Sequence, residues 1–143
     1  MRSPSLLAAA LLVSASASFA APDEYMVVDH SSETLIDRAG AMAVWQAQAN
    51  DKQRARLHKL YPVSKWGFVS QVVGGFTADK ACVVTARALM VPRIVGGRLL
   101  FKPHKTATAF ASQAGATSEQ CRELAAAKLK EAIVAVRSSL IEP

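Results

Sequence analysis

Between Glu33 and Gln46 the residues Leu35, Ile36, Ala39, Met42 and Ala43 recur at three- and four-residue intervals, the spacing that lines one helix face. Ser31 and Ser32 stand where they can cap the first turn, and Glu33 and Asp37 suit the positive end of the helix dipole. The apolar stripe fades at Gln46-Ala47-Gln48. Asn50, with Gln53 three residues on, marks a fresh N-cap, so a second helix is expected from Asp51 to Leu60, stopped by Pro62. The alternative is one bent helix over residues 33–60.

Past Pro62 the period changes. Trp66 to Val73 is rich in strand formers and is punctuated by Gly74-Gly75. From Ala81 to Val91, Cys82, Val84, Ala86, Ala88 and Met90 fall on one face, with Thr85 and Arg87 on the other, as in a half-buried strand. Gly96-Gly97 reads as a hairpin dipeptide. Arg98 to Lys102 reads as a third strand, and Lys105 to Ala111 as a fourth or a continuation past Pro103. Ahead of all these, residues 21–31 form an extended arm whose Met26-Val27-Val28 run adds an edge strand.

The chain closes on a long helix. Thr117 and Gln120 make a capping-box pattern, and no Gly or Pro follows until Pro143. Cys121, Leu124, Ala125, Leu129, Ala132, Ile133, Val136 and Leu140 form its apolar stripe. Cys121 therefore faces inward, and Cys82 lies on the apolar face of its strand. Two independent periodicities aim both sulfurs at one sheet–helix interface. The expected fold class is α+β, with N-terminal helices and a three- or four-stranded antiparallel meander. The long C-terminal helix packs on one sheet face and is tied by a Cys82–Cys121 disulfide.

The first twenty residues do not belong to this pattern. Arg2, the apolar run Leu6 to Val13, and the small residues ending in Ser18-Phe19-Ala20 follow the order of a secretory signal peptide. The run is much shorter than the roughly 20 apolar residues that cross a bilayer. Residues 1–20 are therefore expected to be cleaved, leaving residues 21–143 as one α+β domain that does not span a membrane. With no cysteine just after Ala20, lipid attachment is ruled out, which places the domain in a periplasm or outside the cell. In such an oxidising compartment a lone cysteine pair reads as a disulfide. Closing a loop of about 40 residues is worth about 4 kcal/mol on the chain-entropy account. The pair lacks the Cys-x-x-Cys spacing of a redox site.

The chain has 17 Lys and Arg against 11 Asp and Glu, a net +6, and removal of Arg2 lowers this by one. In an exported protein this points to acidic proteins, anionic glycans or lipid surfaces as partners, and away from nucleic acid. Two clusters carry the charge. Arg54, Arg56 and Lys59 load the second helix with Lys52 and His58; Arg98, Lys102 and Lys105 load the third strand region with His104. Convergence of the two would make a patch for an anionic partner. Their ordinary role is a solvated helix face and an edge strand guarded by lysines.

Chemistry of other kinds has little sequence support. There is no Gly-x-Ser-x-Gly elbow and no His-Glu-x-x-His helix. His30, His58 and His104 share no ligand spacing, and Met26 near His30 is the one copper-type pairing, so no metal or cofactor is expected. Arg93-Ile94-Val95-Gly96-Gly97 resembles the activation junction of trypsin-like proteases. The resemblance ends there: 46 residues follow Gly97, and no Gly-Asp-Ser-Gly-Gly motif exists. Val91-Pro92-Arg93 at a strand end leaves an inhibitor of a trypsin-like enzyme as a minor alternative. The leading expectation is a small exported, non-catalytic binding protein of the cell envelope, engaging an acidic protein or polyanion. Its rivals are a structural envelope component and an envelope enzyme with a site assembled from sequence-distant residues. A pocket holding His58 or His104 beside a carboxylate would favour the enzyme. Trp45, Trp66, Phe68, Phe101 and Phe110 all have core-compatible spacing.

Overall fold

The computed structural model describes residues 24–48 and 50–142, so the expected signal peptide lies outside the described residues. Its elements run β1 (Met26–Asp29), α1 (Arg38–Ala47), α2 (Asp51–Leu60), β2 (Trp66–Phe76), β3 (Ala81–Pro92), β4 (Lys105–Ala114) and α3 (Ser118–Ile141). The strands form one sheet in the order β1-β2-β3-β4. The α+β class, the C-terminal helix on the sheet and the disulfide are as the sequence predicts. One pairing departs from the antiparallel meander: β1 runs parallel to β2, with Val27 opposite Phe68 and Asp29 opposite Ser70. Two helices separate these strands in sequence, giving the chain the length a parallel return requires.

The period-2 pattern of β3 decides the layering. Cys82, Val84, Ala86, Ala88 and Met90 are fully buried against α3, together with Phe68 and Val72 of β2. From α3 the stripe Cys121, Ala125, Leu129, Ala132, Ile133, Val136 and Leu140 meets them. Gly74 lets β2 run through the expected punctuation. With φ +141° it lies in the region that favours glycine, and a Cβ would stand 2.0 Å from the Val83 carbonyl oxygen. On the opposite sheet face a smaller cluster of Val69, Leu89 and Val91 is covered by Leu99. Gly67 admits that cover, since a Cβ there would lie 2.5 Å from a Leu99 methyl.

Three further expectations are corrected. The first helix starts at Arg38, not Glu33, because Asp37 caps it through the Gly40 amide at 2.7 Å. Ser31 is used elsewhere, its hydroxyl accepting from the Val72 amide at 2.9 Å. Residues Arg98 to Lys102 form no strand: one isolated bridge, Arg93 to Leu99, closes a glycine turn, and the chain then bends through Pro103. Phe101 and Phe110, expected in the core, are 70% and 61% exposed. Phe110 falls on the outer sheet face opposite Thr85, a face whose register the period alone cannot assign. Asn50 caps α2 through the Lys52 and Gln53 amides, and the Thr117–Gln120 capping box opens α3, both as expected.

Candidate functional site

A cleft of about 140 Å³ opens between Tyr25, the end of α1, the side of α2 and the last turns of α3. Its floor begins with Trp45, 2% exposed, on the apolar stripe of α1. The Trp45 indole N–H donates to Ser70 Oγ at 3.1 Å, and that hydroxyl donates to Asp29 Oδ1 at 2.6 Å. The same Asp29 oxygen accepts from the Ser31 hydroxyl at 2.8 Å. Ser70 is the buried polar residue in the sheet core, and this chain satisfies it. The network fixes Trp45 in orientation.

Tyr25 forms the side wall. Its ring lies edge-on to Phe68 at 5.1 Å and to His58 at 5.0 Å, and its hydroxyl donates to the Tyr61 carbonyl. Leu57 of α2 is buried below, and Ile141 of α3 closes the far side. Exposed Glu24, Gln46, Asn50 and Gln53 stand at the mouth. The cleft is thus apolar inside and polar at its rim, the general build of a small-ligand site.

Arg137 breaks the apolar interior. It lies four residues after Ile133 and four before Ile141, on the buried face of α3. Its guanidinium stacks 5.5 Å over the Trp45 ring and 5.9 Å from the Phe68 ring centre. Nη1 donates to the Gln48 carbonyl at 2.6 Å, satisfying an open carbonyl at the C-terminal end of α1. Nε is buried with no hydrogen-bond partner. Among the described residues Arg137 has no ion pair, while Arg54 makes a long one to the exposed Asp51 at 3.8 Å. Burial first, and the nearby Arg54 second, pull the Arg137 pKa below its ordinary value, while Tyr25 acts in the opposite direction. An arginine keeps its proton under such pressure, so the cleft holds a positive charge that the fold leaves largely uncompensated. Burial raises the Tyr25 pKa well above the ordinary phenol range.

The sequence-derived basic residues lie on α2, on the segment between β3 and β4, and at the first residue of β4. Arg54 lines the cleft, and Arg56 and Lys59 are exposed on the same helix. Lys102 and Lys105 flank His104, whose ring stacks on Tyr61 and Trp66 at 5.5 and 5.0 Å, which brings that loop to the C-terminal end of α2. Arg98 directly precedes Leu99, the residue that covers the opposite sheet face, and its carbonyl accepts from the Ile94 amide at 2.9 Å. Arg93 is half-buried, and its Nη1 donates to the Val63 carbonyl at 3.3 Å. No group of three His, Cys, Asp or Glu side chains comes together among the described residues.

Arg137 and Tyr25 are the site residues that sequence reasoning missed. A signal for Arg137 exists in the sequence: it is the one charged residue between Ala132 and Ile141, a stretch otherwise made of apolar residues and two serines. Tyr25 carried no such signal, because its place depends on the parallel docking of β1. No protein-family model matches the chain, and no curated protein matches it.

Proposed function

We propose that this chain is a small exported, non-catalytic binding protein of the cell envelope that engages an anionic partner, an acidic protein or a polyanion. The observation that carries the reading is Arg137: a guanidinium inside an apolar cleft, with an unpartnered Nε, and Arg54 beside it. A buried charge without a counter-charge costs stability, and a binding site is where a fold retains such a cost. Arg56 and Lys59, exposed on the helix that walls the cleft, extend the positive surface outward. The disulfide joins α3 to β3, and no helix among the described residues is long and apolar enough to cross a membrane. Both fit an extracytoplasmic protein released by signal-peptide cleavage.

Affinity capture from envelope extract tests this reading, with the mature oxidised protein as bait and an Arg54→Gln/Arg137→Gln variant as control. The expected result is an anionic partner retained by the native protein at low salt and lost from the variant. If nothing is retained at low salt, or both baits retain the same set, the reading fails. A second reading, an envelope enzyme, draws on one observation: the cleft holds His58 and has Glu24 at its mouth.

A further inference from the structure

The shape of the cleft says more about the anion than its charge does. A cavity of about 150 Å³ lined by apolar side chains accommodates a benzene-sized group, and this cleft is about 140 Å³. Trp45, Leu57, Val27 and Ile141 give that group an apolar bed, with Arg137 and Arg54 in the same enclosure. A sugar chain or a run of acidic side chains would leave this apolar bed unused. Among the described residues that line the cleft, Glu24 is the one carboxylate, and it repels dianions such as phosphate more strongly than monoanions. The N-terminus of α2 is not itself the anion site, since Asn50 already takes the Lys52 and Gln53 amides. On Arg137 Nη1 is engaged in a hydrogen bond and Nε is buried without a partner, so the guanidinium keeps donor capacity that the fold does not use. A guanidinium presents its donors in the fork that matches a carboxylate.

Resting on the anion-binding reading above, we propose that the cleft takes a monocarboxylate attached to a short apolar body. The carboxylate meets the guanidinium groups of Arg137 and Arg54, and the body lies against Trp45 and Leu57. Two sources present this chemistry: a free small acid, and the C-terminal residue of a protein partner with an apolar side chain. In the second case the basic surface of α2 steers the partner, and the cleft captures its last residue.

The test is an NMR titration of the mature oxidised protein, following the Arg137 Nε–H and the Trp45 indole N–H. The probes are benzoate, acetate, which has the charge without the body, and benzyl alcohol, which has the body without the charge. Benzoate is expected to shift both resonances and to bind at least tenfold more tightly than either control. Arg137→Gln should abolish binding, and Arg54→Gln should weaken it several-fold. A peptide ending in Phe, as free acid and as amide, separates the sources. Tighter binding of the acid peptide than of benzoate assigns a chain terminus, and rejection of both peptides assigns a free acid. Equal binding of acetate and benzoate, equal binding of benzyl alcohol and benzoate, or no shift with any probe would overturn the proposal. These comparisons need no variant, so a poorly folding Arg137→Gln protein does not obstruct them. Salt-sensitive retention of the native protein on a polyanion column, alongside a negative titration, would leave the broader reading standing and reject this one.

Discussion

The two ends of α3 lie on the same core and are built on opposite principles. Near its start, Cys121 is joined to Cys82 in the middle of a fully apolar contact between helix and sheet. Sixteen residues later, roughly 24 Å along the helix axis, Arg137 occupies the same buried face and finds aromatic rings, one carbonyl and a second cation. At the first end local pattern, packing and covalent chemistry agree, which is how a sequence specifies a fold. At the second end a charged side chain stands where the pattern asks for an apolar one. The difference separates the part of α3 that holds the structure together from the part that gives up stability for a site.

That contrast can be broken by mutation, and the largest effect belongs to the covalent end. A Cys82→Ala/Cys121→Ala protein should lose about 2–5 kcal/mol in urea unfolding, with the cleft still forming in the fraction that folds. A loss well under 1 kcal/mol would mean that the apolar contact alone fixes the helix. Ser70→Ala comes next. It removes the group between the Trp45 indole and Asp29, and leaving buried partners unpaired should cost about 1–3 kcal/mol. Because Trp45 is the platform under Arg137, benzoate binding should weaken as well. An unchanged affinity would show that Trp45 is held by packing and not by the network.

Arg137→Met sharpens the comparison, because two opposing effects set its stability. The change forfeits the Gln48 bond and the ring contacts, and it also removes a buried charge without a counter-ion. The two effects oppose each other, so the net change in unfolding free energy should fall within about 1 kcal/mol of zero. Carboxylate binding should vanish. A loss of several kcal/mol would make Arg137 a structural element of the helix contact and undercut the site.

These residues also show how far sequence reading reaches. Cys82 and Cys121 were legible because each sits on its own periodic pattern, and the patterns are local. Asn50, Thr117 and Gln120 were legible for the same reason, since a cap lies within a few residues of what it satisfies. The parallel pairing of β1 was not, because nothing near Met26 encodes which edge of β2 it meets. Exposed Phe110 follows the same rule: alternation reports two faces without saying which one is covered. The cleft was illegible as a whole. It assembles Tyr25, Trp45, Arg54 and Arg137 from four segments, and only the misplaced charge left a local trace.

The smallest expected effect isolates the environment on the cleft side. Burial holds the Tyr25 phenol above its ordinary range, opposed in part by Arg137. A phenol with a raised folded-state pKa keeps its proton more tightly in the folded chain than in the unfolded one. Its contribution to stability is therefore fully present below the unfolded value of about 10 and is lost as pH rises above it. Lysines titrate in the same interval, so the native profile alone does not report on Tyr25. The difference between the native protein and Tyr25→Phe does. That substitution removes the bond to the Tyr61 carbonyl, which contributes an offset independent of pH up to about 9. Beyond it, the native protein should lose stability faster than the variant as pH climbs towards 11, a range chosen to straddle the ordinary phenol value of about 10. Unfolding curves that stay parallel across that range would place Tyr25 in a solvated setting. The cleft would then lack the dry wall that keeps the Arg137 charge costly, and the contrast between the two ends of α3 would lose its physical basis.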